Sequence, residues 1–225
     1  VLIIGTVGVT ELIDLIPWES LPLPHYLVGI SIHIFSILMN LTLMRIFIPG
    51  FRFERARLKR VTVWIIAVGL IFMFVGPSTI RDIAGGAKFT DVVMALGFTF
   101  FIGLDEELFA RKFVMGIFAR YGIAISVFAS AMVFGAMHIT NYIYGFESLQ
   151  VTIAQMISAF AFGIFASGLY LITGKLIVPI IFHALTDFPF ELMHARELKK
   201  FLHSSVNWGD VLAMSCLLYT SDAAD

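Results

Sequence analysis

Between Tyr26 and Pro49 the sequence is an almost unbroken apolar run. It is long enough for one helix to cross a bilayer, since about 20 apolar residues cover the roughly 30 Å hydrocarbon core. Further runs approach or reach that length at Val61–Gly76, Val92–Leu104, Ile123–Met137, Val151–Thr173 and Leu176–Phe190, with a shorter one near Val211–Leu218. The opening Val1–Pro17 is apolar but carries Glu11 and Asp14, and reads as the stump of a cut span. Barrel-type alternation with a period of two is absent, so helices are the spanning structure. The expected fold is all-α: a polytopic transmembrane helical bundle of about seven or eight spans.

Composition closes the alternatives. The 225 residues are 59% hydrophobic and 14% charged, against about 45–50% and about 25% in soluble domains. So few charges cannot build a water-facing surface, which excludes a soluble enzyme and a disordered tail. Fifteen basic and sixteen acidic residues leave a net charge of −1, which offers no field for a polyanion; nucleic acid is not an expected partner. The single cysteine, Cys216, cannot form an intrachain disulfide. It opens a tail, Cys216–Asp225, that reads as a translated transposase sequencing adapter past the end of a truncated gene, and the chain starts at Val1 without methionine. That tail is set aside from fold reasoning. The expected organisation is N-terminal transmembrane helices over 1–90, a core over 91–204, and a truncated last helix over 205–225.

Charge places the loops. Arg52, Arg55, Arg57, Lys59 and Arg60 form a basic block that faces the cytoplasm by the positive-inside rule. Asn141–Gln150 carries no Lys or Arg and fits the opposite side. Arg196, Lys199 and Lys200 break a simple alternation of sides, so either a helix is re-entrant or one expected span is misplaced. Ala159, Gly163 and Ser167 recur at four-residue spacing and read as a packing seam. His33 and Asn40 share a helical face and read as hydrogen-bonding to a neighbouring helix, while His25, His194 and His203 lie near expected interfaces.

Ionisable side chains inside apolar helices cost about 2.5–3.5 kcal/mol each or more, and usually mark function. Three clusters stand out: Glu106, Glu107 and Arg111; Phe134 and His138; His183 and Asp187. Glu107 and Arg111 are four apart and can pair on one face, while Glu106 is turned about 100° away. Phe134 shares a face with His138, and His183 with Asp187. Each cluster alone has a plain structural reading: an ion pair, an interfacial histidine, a polar helix contact. Together they can bring a carboxylate, an imidazole and an imidazole–carboxylate pair to one interior point and activate a water.

In order, these clusters read EExxxR, FxxxH and HxxxD. The set resembles the signature of the CPBP intramembrane proteases, the ABI or Rce1-like family of CAAX endopeptidases, over roughly Val92–Phe190. The resemblance implies an intramembrane endopeptidase with a core of the Rce1-like type, acting on a peptide or protein substrate at the lipid bilayer, in a prokaryotic cytoplasmic membrane. It implies that Glu106 is the general base, that His138 helps to hold the water, that His183 and Asp187 stabilise the oxyanion, and that Glu107 and Arg111 support the site. Burial tunes a carboxylate for proton transfer. The last motif position is often Asn in the family; Asp187 donates only when protonated, so orienting His183 is its other reading. Phe134 reads as a packing residue.

The family has been labelled metalloprotease, and Glu106, His138 and His183 are a credible zinc set by ligand type. The HExxH helix is absent, and the expected mechanism uses no metal or other cofactor, zinc being the alternative. Two other functions compete. One is a non-enzymatic membrane immunity or scaffold protein, as in bacteriocin self-protection. The other is a proton-coupled transporter, against which stands the absence of an internal repeat with paired broken helices.

Overall fold

A computed structural model describes residues 25–50 and 88–192. All of its regular structure is helical, and among the described residues there is no strand. Helix α1 spans His25–Phe47 and ends before Pro49, whose missing N–H cannot extend the ladder. Helix α2 spans Phe89–Glu107; near its start the Asp91 carboxylate accepts the backbone N–H of Lys88 at 3.2 Å. The chain then continues without a break as a π-helical segment, Leu108–Val114. A short helix α3, Met115–Phe118, and a 3₁₀ turn, Ala119–Tyr121, follow. Gly122, at φ +97°, supplies the backbone conformation that turns the chain into α4, Ile123–Met137. Helix α5 is the short Ile139–Ile143. Helix α6, Leu149–Thr173, is N-capped by Ser148, whose Oγ accepts the Val151 N–H at 3.3 Å. Gly174 in the left-handed region closes it. Helix α7 spans Ile177–Leu192.

Three described helical stretches are long and apolar enough to cross a membrane: Gly29–Phe47, Ile123–Ile143 and Leu149–Thr173; Ile177–Pro189 is a shorter apolar helix. The chain is an integral membrane protein. The expected runs at Val1–Pro17, Val61–Gly76 and Val211–Leu218 lie outside the described residues, as do the basic block, His194, His203 and Arg196–Lys200. Two expected boundaries move. Asn141 belongs to α5 rather than to a loop, and α2 carries helix past Leu104 through Asp105, Glu106 and Glu107. The acids extend the helix because their side chains find partners across the bundle, as described below.

Side chains such as Phe35, Leu38, Ile123, Phe128 and Ile143 are half or more exposed, which suits helices facing lipid. Lipid tails are as apolar as leucine, so close packing and polar contacts, rather than exclusion from water, hold such helices together. Small residues provide the approach. A Cβ on Gly163 would stand 2.9 Å from the Ala131 Cα, so α6 touches the α4 backbone there. Ala159 and Ser167 are buried on either side of Gly163, with the Ser167 Oγ donating to the Gly163 carbonyl at 2.7 Å. The expected seam is therefore a real α4–α6 contact. A second close approach joins α2 to α7: a Cβ on Gly103 would lie 2.9 Å from the Ile180 carbonyl oxygen and 3.3 Å from the His183 Cβ. The π-helical segment sits at the centre, with Ala110, Arg111, Phe113 and Val114 all fully buried.

Candidate active site

The site is built where α2 runs into the π-helical segment and meets α7. Glu107 and Arg111 are both fully buried. The Arg111 Nη2 donates to Glu107 Oε1 at 3.1 Å, and Nε lies 2.9 Å from Oε2. A charged pair this deep stands only with further partners, and they are present. The Arg111 Nη1 donates to Ser130 Oγ at 3.2 Å, and that hydroxyl donates to the Ala110 carbonyl at 2.7 Å. The guanidinium also lies 4.9 Å from the centre of the Phe134 ring, a cation–π contact. Residues 108–114 are wound with i→i+5 bonds, a rare conformation that clusters at functional sites.

Glu107 also reaches across to α7. The His183 Nδ1 lies 3.0 Å from Glu107 Oε1. On the opposite edge of the same ring, Nε2 lies 3.4 Å from Glu106 Oε2 and 3.4 Å from Asp187 Oδ2. One imidazole therefore faces three carboxylates, and since ionised carboxylates only accept, its nitrogens are placed to donate on both sides. Although turned about 100° apart along the helix, Glu106 and Glu107 both reach the His183 ring. The two acids grip the ring from opposite sides, because the Gly103 approach brings α7 between them.

Exposure separates their roles. The Glu107 side chain is 0% exposed, whereas Glu106 is 31% and Asp187 35% exposed. Only the latter two can meet a substrate or a water; Glu107 and Arg111 form the floor beneath.

His138 ends α4, and its Nδ1 lies 3.0 Å from the Phe134 carbonyl oxygen. A carbonyl only accepts, so Nδ1 carries the hydrogen and Nε2 keeps its lone pair. The same bond is also what a structural helix cap would make. Phe134 touches both histidines, its ring 5.3 Å from His138 and 5.6 Å from His183, both edge-on. Phe134 thus does more than fill space: it spaces both imidazoles and carries the Arg111 cation on its face. Phe162 of α6 closes the wall at 5.0 Å from His183.

The structure gathers Glu106, Glu107, Arg111, His183 and Asp187 through direct contacts and joins His138 to them through Phe134. Among the described residues no group of three His, Cys, Asp or Glu is arranged to hold a metal ion. The label metalloprotease-like has no support in this arrangement.

One polar cluster was not singled out from the sequence as a unit. Asp105, buried, accepts the Ser36 Oγ at 2.7 Å and the Asn40 Nδ2 at 3.0 Å on Oδ1, with the His33 Nδ1 3.1 Å from Oδ2. His33 and Asn40 do bond to a neighbouring helix, and Ser36, three residues after His33, completes their face. The available signal was Asp105 itself, a third consecutive acid at the end of an apolar run.

With this geometry in hand, comparison with known proteins is informative. Residues 88–189 match the family model described as Rce1-like, type II CAAX prenyl endopeptidase Rce1-like. Over these residues, somewhat under half of its length, the chain is similar to the Rce1-like family. The curated proteins and the solved structures gave no match. The matched stretch contains every contact of the site between Glu106 and Asp187, and the family it resembles is one of proteases.

Proposed function

We propose that the chain is an intramembrane endopeptidase, CAAX-protease-like, which hydrolyses a peptide bond at or within the membrane by glutamate and histidine activation of water. The observation that carries this reading is the partly exposed Glu106 carboxylate beside an imidazole held on both nitrogens, inside an Rce1-like stretch. Glu106 takes a proton from water as its oxygen attacks the scissile carbonyl carbon. His138, with Nδ1 committed to the Phe134 carbonyl, offers the Nε2 lone pair to orient that water. The oxygen of the tetrahedral intermediate draws on the Nε2–H of His183, which Asp187 helps to aim. Glu107 and Arg111 fix His183 from below.

The mechanism needs no metal, and the substrate is a peptide or protein presented at the bilayer. A cleavage assay on the full chain, in detergent or liposomes and with and without chelator, tests it. Glu106→Gln abolishes cleavage without unfolding the protein, and chelator leaves wild-type cleavage unchanged. Wild-type rates in Glu106→Gln overturn the catalytic reading, and loss of wild-type activity to chelator overturns the metal-free one.

A further inference from the structure

We propose that the turn between α5 and α6 is an interfacial anchor, which seats its aromatic side chains among the lipid headgroups and so fixes how deep the site lies in the membrane.

The turn shows water the wrong residues. Asn141–Gln150 carries no Lys, Arg or Asp and a single glutamate, Glu147. The structure folds that acid inward: Glu147 is 9% exposed, and its Oε2 accepts the Thr152 hydroxyl at 3.2 Å. The large side chains point the other way. Ile143 is 65% and Phe146 52% exposed, and Tyr142, Tyr144 and Leu149 are exposed with them. A turn made for water has the opposite pattern.

Its backbone is closed as well. The N–H groups of Tyr144, Gly145, Phe146 and Glu147 donate locally, to the carbonyls of Thr140, Tyr142 and, for the last two, Asn141, at 2.8–3.1 Å. Gly145, at φ +75°, permits that winding. The Asn141 Nδ2 donates to Gln155 Oε1 at 2.8 Å and ties the turn to α6. Donors satisfied within the chain need no water, which is what backbone beside hydrocarbon requires.

The neighbouring elements show what covers this face. The turn joins the ends of two stretches long and apolar enough to cross a membrane, Ile123–Ile143 and Leu149–Thr173. Just beyond the far ends of the same stretches stand the exposed cations Arg120 and Lys175. One end thus meets water with charge, while the other carries Tyr and Phe rings. Such rings lodge where headgroups meet acyl chains. Tyr144 and Phe146 lie 6.2 Å apart, ring to ring, and form one patch. The occupant of that patch is the bilayer surface.

The anchor sets a depth. Tyr144 follows His138 by six residues, about 9 Å along a helix axis. With the rings in a headgroup layer about 5–7 Å thick, His138 lies just inside the hydrocarbon. On the endopeptidase reading, on which this consequence rests, the bond to be cut is held beneath the headgroups rather than in bulk water.

The test measures depth on the full chain in vesicles of phosphatidylcholine and phosphatidylglycerol. In a Cys216→Ser background, Phe146→Cys, Met132→Cys and Lys175→Cys each carry an environment-sensitive fluorophore. Met132 is an exposed residue of α4, twelve residues before Tyr144, or about 18 Å, and marks the bilayer interior. The label at 146 emits to the blue of the label at 175. A lipid spin-labelled near its headgroup quenches it more than one labelled deep in the acyl chain, and more than aqueous iodide. The label at 132 is quenched most by the deep lipid, and the label at 175 by iodide. Iodide as the strongest quencher at 146 overturns the proposal, because the turn then lies in water. So does the deep lipid, because the turn is then sunk in the core. Loss of lipid quenching as the protein-to-lipid ratio rises also overturns it, by marking a second copy of the chain as the cover. Should Phe146→Cys not fold, Ile143→Cys carries the same readouts. The labels report depth irrespective of cleavage, so failure of the endopeptidase reading shows separately, as wild-type cleavage by Glu106→Gln.

Discussion

The Glu107–Arg111 pair gives a prediction that the contacts make asymmetric. Both side chains are fully buried, so removing either partner strands the other. Breaking a buried pair costs about 3–5 kcal/mol, roughly two to three and a half powers of ten in the folding equilibrium. The two single variants differ in what remains. Glu107→Met leaves a permanently charged guanidinium with only the Ser130 hydroxyl and the Phe134 face. Arg111→Met leaves a carboxylate that still has His183 at 3.0 Å, a group that can carry a compensating proton. Glu107→Met therefore falls at the upper end of the range and Arg111→Met at the lower. The double variant, with two unbranched apolar side chains in place of the ions, falls within about 1 kcal/mol of wild type or is more stable. Equilibrium unfolding of the full chain in mixed micelles, read by tryptophan fluorescence or gel mobility, measures all four corners of the cycle. Cleavage is lost in the double variant even though it folds, since His183 has lost its anchor on Nδ1. Two results refute the reasoning: Arg111→Met costing more than Glu107→Met, or Glu107→Met being as stable as wild type.

Other predictions follow from single contacts. Gly103→Ala places a methyl group 2.9 Å from the Ile180 carbonyl and 3.3 Å from the His183 Cβ, so α7 must move. Cleavage falls by about 10–100-fold in a protein that still folds, since displacements near 1 Å cost about that much; kcat within twofold of wild type, by the same scale, counts against a placed His183. Glu147, in the turn before α6, is buried and accepts the Thr152 hydroxyl at 3.2 Å. Burial holds its carboxyl above the ordinary glutamate range, despite that bond. A folded-state value above the unfolded one means the contribution to stability is present at acid pH and lost as pH rises through the folded-state value. Glu147→Gln therefore melts higher than wild type near neutral pH and together with it near pH 4, as thermal unfolding at the two pH values shows; equal melting at neutral pH contradicts it.

Much of the site was legible because helical spacing is local. The four-residue intervals Glu107–Arg111, Phe134–His138 and His183–Asp187 became a salt bridge, an edge-on ring pair and an ion contact, as one turn of helix dictates. The destination of Glu106 was not legible. Its direction along α2 says nothing of α7, and only the approach at Gly103 puts one imidazole within reach of both adjacent acids. The closeness of the Phe134 ring to both imidazoles was likewise not legible, because it is a fact of packing between helices.

Apolar length and the scarcity of charge were enough to commit the chain to helices in a bilayer, where backbone groups must bond within their own segment. The same cost of burying charge marked which side chains had a function to answer for. The sequence could not say which carboxylate lies open and which lies sealed, because that depends on neighbours drawn from distant stretches of chain. Tertiary packing decided it, seating Glu107 on Arg111 beneath the ring and leaving Glu106 at the mouth. It also brought α1 alongside, so that Asp105 and His33, 72 residues apart, became one hydrogen-bonded pair.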